Sequence, residues 1–66
     1  MLAANAPDEE EVRRTALLLA EGFPQDALRI ADALAHDNRS TGDLLRAELW
    51  TRVAILIAEV LRHSLS

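Results

Sequence analysis

The sequence predicts an all-α protein: three helices, the last of them long, completed by a second copy into a homodimeric helical bundle. Three observations carry this expectation. Half of the residues are hydrophobic but only 3% are aromatic, with alanine and leucine dominant, a profile that suits packed helices rather than a sheet. Apolar residues recur at three- and four-residue steps, the period of a helix. Finally, Leu44 to Leu61, LLRAELWTRVAILIAEVL, is more apolar and less interrupted than any other stretch.

A chain of 66 residues accommodates one domain, expected over residues 7–66 behind a flexible tail at residues 1–6. A domain this small buries a modest fraction of its surface and is marginally stable alone. Disulfides, a structural metal or self-association usually compensate. With no cysteine, disulfides and thiolate metal sites are excluded, and self-association is the expected route.

The first helix is expected to begin near Pro7, whose fixed backbone angle suits a first helical turn. Asp8 and Glu11 have capping-box spacing, and the run Asp8, Glu9, Glu10, Glu11 places negative charge at the positive end of the helix dipole. Val12, Ala16, Leu19 and Ala20 share one face, with Glu9–Arg13 and Glu10–Arg14 spaced to pair outside. Leu17 and Leu18 lie off that stripe. Gly22 reads as a left-handed stop, with Phe23 folding back on Leu18 in a Schellman-type cap.

Pro24 then opens a second helix, expected to run to about His36. Its apolar set is Ala27, Leu28, Ile30, Ala31, Leu34 and Ala35, against Gln25, Arg29, Asp32 and His36 on the polar side. Asp37, Asn38 and Arg39 interrupt the pattern. Ser40, followed three residues later by Asp43, reads as the cap that starts the third helix.

Along the third helix Glu48, Thr51, Arg52, Glu59 and Arg62 share one side. Leu45, Leu49, Trp50, Val53, Ala54, Leu56, Ile57, Val60 and Leu61 cover more than half of the circumference. A helix of ~23 residues is ~35 Å long, against ~20 Å for each of the other two, so its second half should overhang its neighbours. That much contiguous apolar surface exceeds what a monomer normally exposes, and a symmetric homodimer is the simplest closure. The expected dimer or partner interface is Leu49, Trp50, Val53, Leu56, Ile57, Val60 and Leu61, and its part around Leu56, Ile57, Val60 and Leu61 is expected to meet another chain. Each large side chain fully covered there contributes roughly 1.5 to 3 kcal/mol.

Several classes of function are disfavoured. Net charge is -4 and every basic residue is arginine, so a nucleic-acid backbone meets net repulsion. In a helix-turn-helix reading, Leu44, Leu45 and Leu49 fill the surface where groups reading base edges belong. Arg46, Glu48, Arg52 and Glu59 interrupt the apolar run, and each central charge costs roughly 2.5 to 3.5 kcal/mol in lipid, so no membrane span is expected. The start MLAANAPDEEE lacks the pattern of a secretory signal, which leaves the cytoplasm as the expected compartment.

No residue is assigned to catalysis, metal or cofactor. His36 and His63 sit near helix C-termini, where a cation is favoured, and no further ligands are spaced around them. The carboxylates read as solvated faces rather than an acid/base pair. Ser40 and Thr41 have no paired base, and capping explains them better. Trp50 reads as an anchor of the core or dimer interface; its functional alternative is a contact for another protein, extended by Leu44 and Ile55.

The spacing of Ala27, Ile30, Ala31, Leu34 and Ala35, then Gly42 and Asp43, then Trp50, Val53, Ala54, Ile57 and Leu61 resembles that of small uncharacterised three-helix proteins encoded in bacterial genomes. The resemblance covers about the last two thirds of the chain. It implies a helical fold and carries over no site. The expected function is thus a small cytoplasmic protein-interaction or regulatory module, homodimeric and without catalytic activity. The alternatives are a ligand-binding bundle with an apolar cavity near Trp50, Leu49 and Val53, and a helix-turn-helix DNA-binding protein.

Overall fold

The computed structural model describes residues 8–65, with side chains through residue 63. The tail expected at residues 1–6 and the start expected at Pro7 lie outside these residues. The described residues form three helices, α1 (Glu9–Gly22), α2 (Ala27–Ser40) and α3 (Leu44–Leu65), and include no strand.

Asp8 caps α1. Its backbone is extended, and its carboxylate accepts the Glu10 N–H at 3.3 Å while its carbonyl accepts the Val12 N–H at 3.0 Å. The three glutamates that follow fill the first turn, where the dipole favours them. On the outside, Arg14 pairs with Glu10 at 3.3 Å.

The end of α1 differs from expectation. Gly22 has no positive φ and remains helical; the chain leaves the helix at Phe23 (φ -137, ψ 68), whose N–H still reaches the Leu19 carbonyl at 2.8 Å. The reason is Pro24. A residue preceding proline is pushed out of the right-handed helical region, so Phe23 ends α1 and no left-handed glycine is required. Leu18 and Phe23 both stay exposed.

Helix α2 begins at Ala27 rather than Pro24. Residues 24–26 form a turn closed by the Asp26 N–H on the Phe23 carbonyl at 3.1 Å. Asp26 makes no side-chain cap bond and instead pairs with Arg29 at 2.8 Å. Nor does α2 stop near His36. Polar residues do not themselves break a helix: Asn38 back-bonds to the Leu34 carbonyl at 2.8 Å, and the Thr41 hydroxyl donates to the Asn38 carbonyl at 3.0 Å.

The stop is Gly42, at φ 88. The Gly42 N–H reaches the Arg39 carbonyl at 3.2 Å and the Asp43 N–H reaches the Asn38 carbonyl at 2.9 Å, the two bonds of a Schellman motif. The motif expected at Gly22 therefore occurs twenty residues later. Asp43 also serves the next helix: its carboxylate accepts the Arg46 N–H at 3.2 Å and its carbonyl accepts the Ala47 N–H at 3.0 Å. Ser40, expected to cap α3, is the last residue of α2, because the left-handed Gly42 bars a helix from starting before it.

Helix α3 has 22 residues against 14 in each of the others and is their common partner. It packs most extensively on α2 and next on α1, while α1 and α2 touch little. The end of α2 lies beside the start of α3, where Thr51 accepts from Arg39 at 3.2 Å and donates to the Ala47 carbonyl at 2.8 Å. The start of α2, Ala27, instead shares a pocket with Ile57 and Leu61, so α2 and α3 are antiparallel. Glu9 shares a groove with Glu48, and Ala20 shares the pocket with Val60. Helices α1 and α3 therefore run in the same direction.

Among the described residues nine apolar ones are buried, and six of them are alanine: Ala16, Ala27, Ala31, Ala35, Ala47 and Ala54; Val12, Val53 and Ile57 complete the set. Ala27, Ala31 and Ala35 recur at four-residue steps on α2, and small side chains at a contact reduce the distance between helix axes. Leu19, Leu28, Leu49, Trp50 and Leu56 pack half-buried around the core. The largest fully buried side chain is Val53. An alanine methyl contributes about 0.8 kcal/mol on burial, against roughly 1.5 to 3 for a valine, leucine or isoleucine. This core therefore stabilises the single chain modestly for its size.

Candidate interaction surface

Many of the large apolar residues are outside. Leu17, Leu18, Phe23, Leu44, Leu45, Ile55, Val60 and Leu61 are all exposed. Two concavities organise part of this surface, both between α1 and α3.

The first is a groove of about 380 Å³ with a charged rim. Helix α1 supplies Glu9 and Arg13, α3 supplies Glu48, Arg52 and Glu59, and Val12, Ile55 and Leu56 give it apolar content. Arg52 donates from Nε to Glu48 at 3.1 Å; both side chains are exposed, so this bond is worth a fraction of a kcal/mol. Ile55 stands 55% exposed among these charges.

The second is an apolar pocket of about 320 Å³ where the end of α1, the start of α2 and the last turns of α3 converge. Ala16, Ala27 and Ile57 are its buried lining. Leu17, Val60 and Leu61 line it while remaining exposed, and Arg13 is its one charged residue. Small residues on α1 and α2 opposite larger ones on α3 leave the space open.

The residues expected at an interface fall into three groups. Val53 and Ile57 are buried in the core of the single chain. Leu49, Trp50 and Leu56 are half-buried against it, while Val60 and Leu61 are exposed in the apolar pocket. Trp50 lines neither concavity, and the apolar one lies at Leu56 to Leu61, more than a turn beyond it. Leu17, which is not one of the residues expected at an interface, also lines the apolar pocket. The signal available for it was a large apolar side chain off the Val12 and Ala16 stripe of α1.

No polar or charged side chain is buried among the described residues. His36 and His63 are exposed, as are Ser40 and Thr41. No cluster of three or more His, Cys, Asp or Glu side chains able to hold a metal ion occurs among the described residues, and no helix there is long and apolar enough to cross a membrane. Comparison with known protein families, known proteins and solved structures finds no match to this chain.

Proposed function

We propose that the chain is a small cytoplasmic interaction module, without catalytic activity, that forms a homodimer and binds another protein through its helical surface. One observation carries this reading: among the described residues alanines make up six of the nine buried apolar residues, while eight large apolar residues are exposed. A second chain and a partner helix together cover apolar surface that the chain cannot cover itself. The apolar pocket, with Leu17, Val60 and Leu61 at its mouth, suits the apolar anchors of a partner helix.

Sedimentation equilibrium tests self-association. A dimer mass is expected at micromolar concentration, and a monomer persisting at high micromolar concentration overturns it. Affinity capture from the native extract tests the second half, with a Leu61→Glu variant for comparison. A protein recovered by the wild type and lost by the variant is expected; repeated recovery of the chain alone overturns the reading.

The volume of the pocket favours a second reading, a small apolar ligand, since ligand sites begin at roughly 300 Å³. Saturable binding of one apolar fluorescent probe per chain, abolished by an Ala20→Leu change that fills the pocket, distinguishes it from a protein-docking site.

A further inference from the structure

The face of α3 turned away from the core carries a charge order that is its own complement when reversed. Glu48, Arg52, Ile55, Glu59 and Arg62 follow one another at steps of four, three, four and three residues, which keeps them on one stripe of a helix. All five are exposed. In chain order they read acid, base, isoleucine, acid, base; in reverse they read base, acid, isoleucine, base, acid.

Two such stripes laid antiparallel set Glu48 against Arg62 of the second copy, Arg52 against Glu59 of the second copy, and Ile55 against itself. The midpoints of these pairs coincide to within half a residue, roughly 1 Å of helical rise, so one twofold axis serves them all. Two parallel stripes in register set acid on acid and base on base. Helix α1 reinforces the pattern: Glu9 and Arg13 lie in the same groove as Glu48 and Arg52, run in the same order, and so face the same half of a second copy.

We propose that this face is the seam of an antiparallel homodimer, with the twofold axis at Ile55. The proposal rests on the self-association inferred above and adds its orientation and its contact residues. Each chain carries a net charge of -4, so a second copy is repelled at long range, and an orientation that matches charges locally is favoured over one that opposes like charges. The antiparallel arrangement supplies that match at all four charged positions of the stripe. It also sets the dipoles of the two α3 helices antiparallel, the positive end of each toward the negative end of the other.

The Glu48–Arg52 bond within one chain is no obstacle. It uses Nε of Arg52, and a guanidinium has five N–H donors, enough to engage a second carboxylate across the seam. Ile55 explains itself in this arrangement: more than half exposed on a charged face of the single chain, it becomes the covered centre of an isologous contact, in which each residue meets its own symmetry mate or the reciprocal pair. Charge pairs of this kind set orientation and register more than affinity. The apolar pocket lies beside the seam, sharing only Arg13 and Leu56 with the groove, and its mouth at Leu17, Val60 and Leu61 is left for a different protein.

The chain has no cysteine, so single introduced cysteines report the geometry, since a disulfide forms only where Cα atoms come within about 7 Å. Under mild air oxidation, Ile55→Cys is expected to yield a covalent dimer. A mixture of Glu48→Cys and Arg62→Cys chains is expected to cross-link with each other, and Glu48→Cys alone is not. In solution, Glu59→Arg turns two attractive pairs per dimer into repulsive ones and should weaken association roughly tenfold; Arg52→Glu with Glu59→Arg should restore it. Efficient self-linking of Glu48→Cys overturns the proposal in favour of a parallel pair. A dimer mass without the Ile55→Cys link overturns this seam and leaves the homodimer standing, whereas a monomer overturns both.

Discussion

Alanine at Gly42 and alanine at Gly22 are expected to change stability in opposite directions. A Cβ built at either position meets nothing within 4 Å, so packing does not enter and the backbone alone decides. At Gly42, with φ 88, a Cβ crowds the following carbonyl at a cost of about 1 to 2 kcal/mol. The reduced freedom of the unfolded chain offsets about 0.4 to 1 of this, leaving a net loss near 1 kcal/mol. Gly22 is the last residue of α1 and has no positive φ. There alanine gains part of the ~1 kcal/mol by which it exceeds glycine in a helix, about 0.5 at a terminal position. For a domain of this size 1 kcal/mol moves the melting temperature by roughly 4 to 8 °C. Gly42→Ala should therefore melt about 4 to 8 °C lower and Gly22→Ala about 2 to 4 °C higher. Gly42→Asn should lose less than Gly42→Ala, because asparagine tolerates the left-handed region. Thermal unfolding followed by circular dichroism, at one protein concentration so that association does not vary, reads all three. A gain at Gly42, or a loss at Gly22 equal to that at Gly42, would refute the assignment of the two helix ends.

The remaining expectations concern the core and the second turn. Val53→Ala removes most of the largest fully buried side chain and should cost about 2 kcal/mol in urea unfolding; a loss below 0.5 would mean that the site is not enclosed. Ala31→Leu forces three extra carbons into a fully buried position on α2, for a loss of about 1 to 3 kcal/mol, whereas stabilisation would show that α2 and α3 have room between them. Asp43→Ala removes the cap on the Arg46 N–H and should cost about 1 kcal/mol, while Ser40→Ala, at a position that caps nothing, should stay within about 0.5. Equal losses at the two positions would contradict the start of α3 at Leu44.

Much of the local structure is legible in the chain. Asp8 followed by three glutamates marks a helix start because side-chain acceptor and backbone donors lie within a few residues of each other. The four-residue alanine steps of α2 likewise mark its inner face. Helix ends are less legible, since the two glycines look alike as letters. What separates them is the neighbour: Pro24 ends α1 by its own sterics, whereas nothing after Gly42 does so and the glycine itself must turn left-handed. The apolar arc of α3 is legible as a class, but the burial of its individual residues is not. Val53 and Ile57 belong to the same apolar arc as Val60 and Leu61, and burial divides them.

All-α architecture, the number of helices and which positions are apolar follow from composition and from interactions within a few residues, and so are written in the chain itself. It also contains the charge order Glu48, Arg52, Ile55, Glu59, Arg62, which any reader of the letters can find. Only the tertiary structure decided that this stripe faces outward, that α1 lays Glu9 and Arg13 beside its first half, and that an apolar pocket opens at Val60 and Leu61. Those facts depend on how α1 and α2 are placed on α3 and where they end along it. That placement is set by close approach of alanine faces far apart in the chain, which no local pattern encodes.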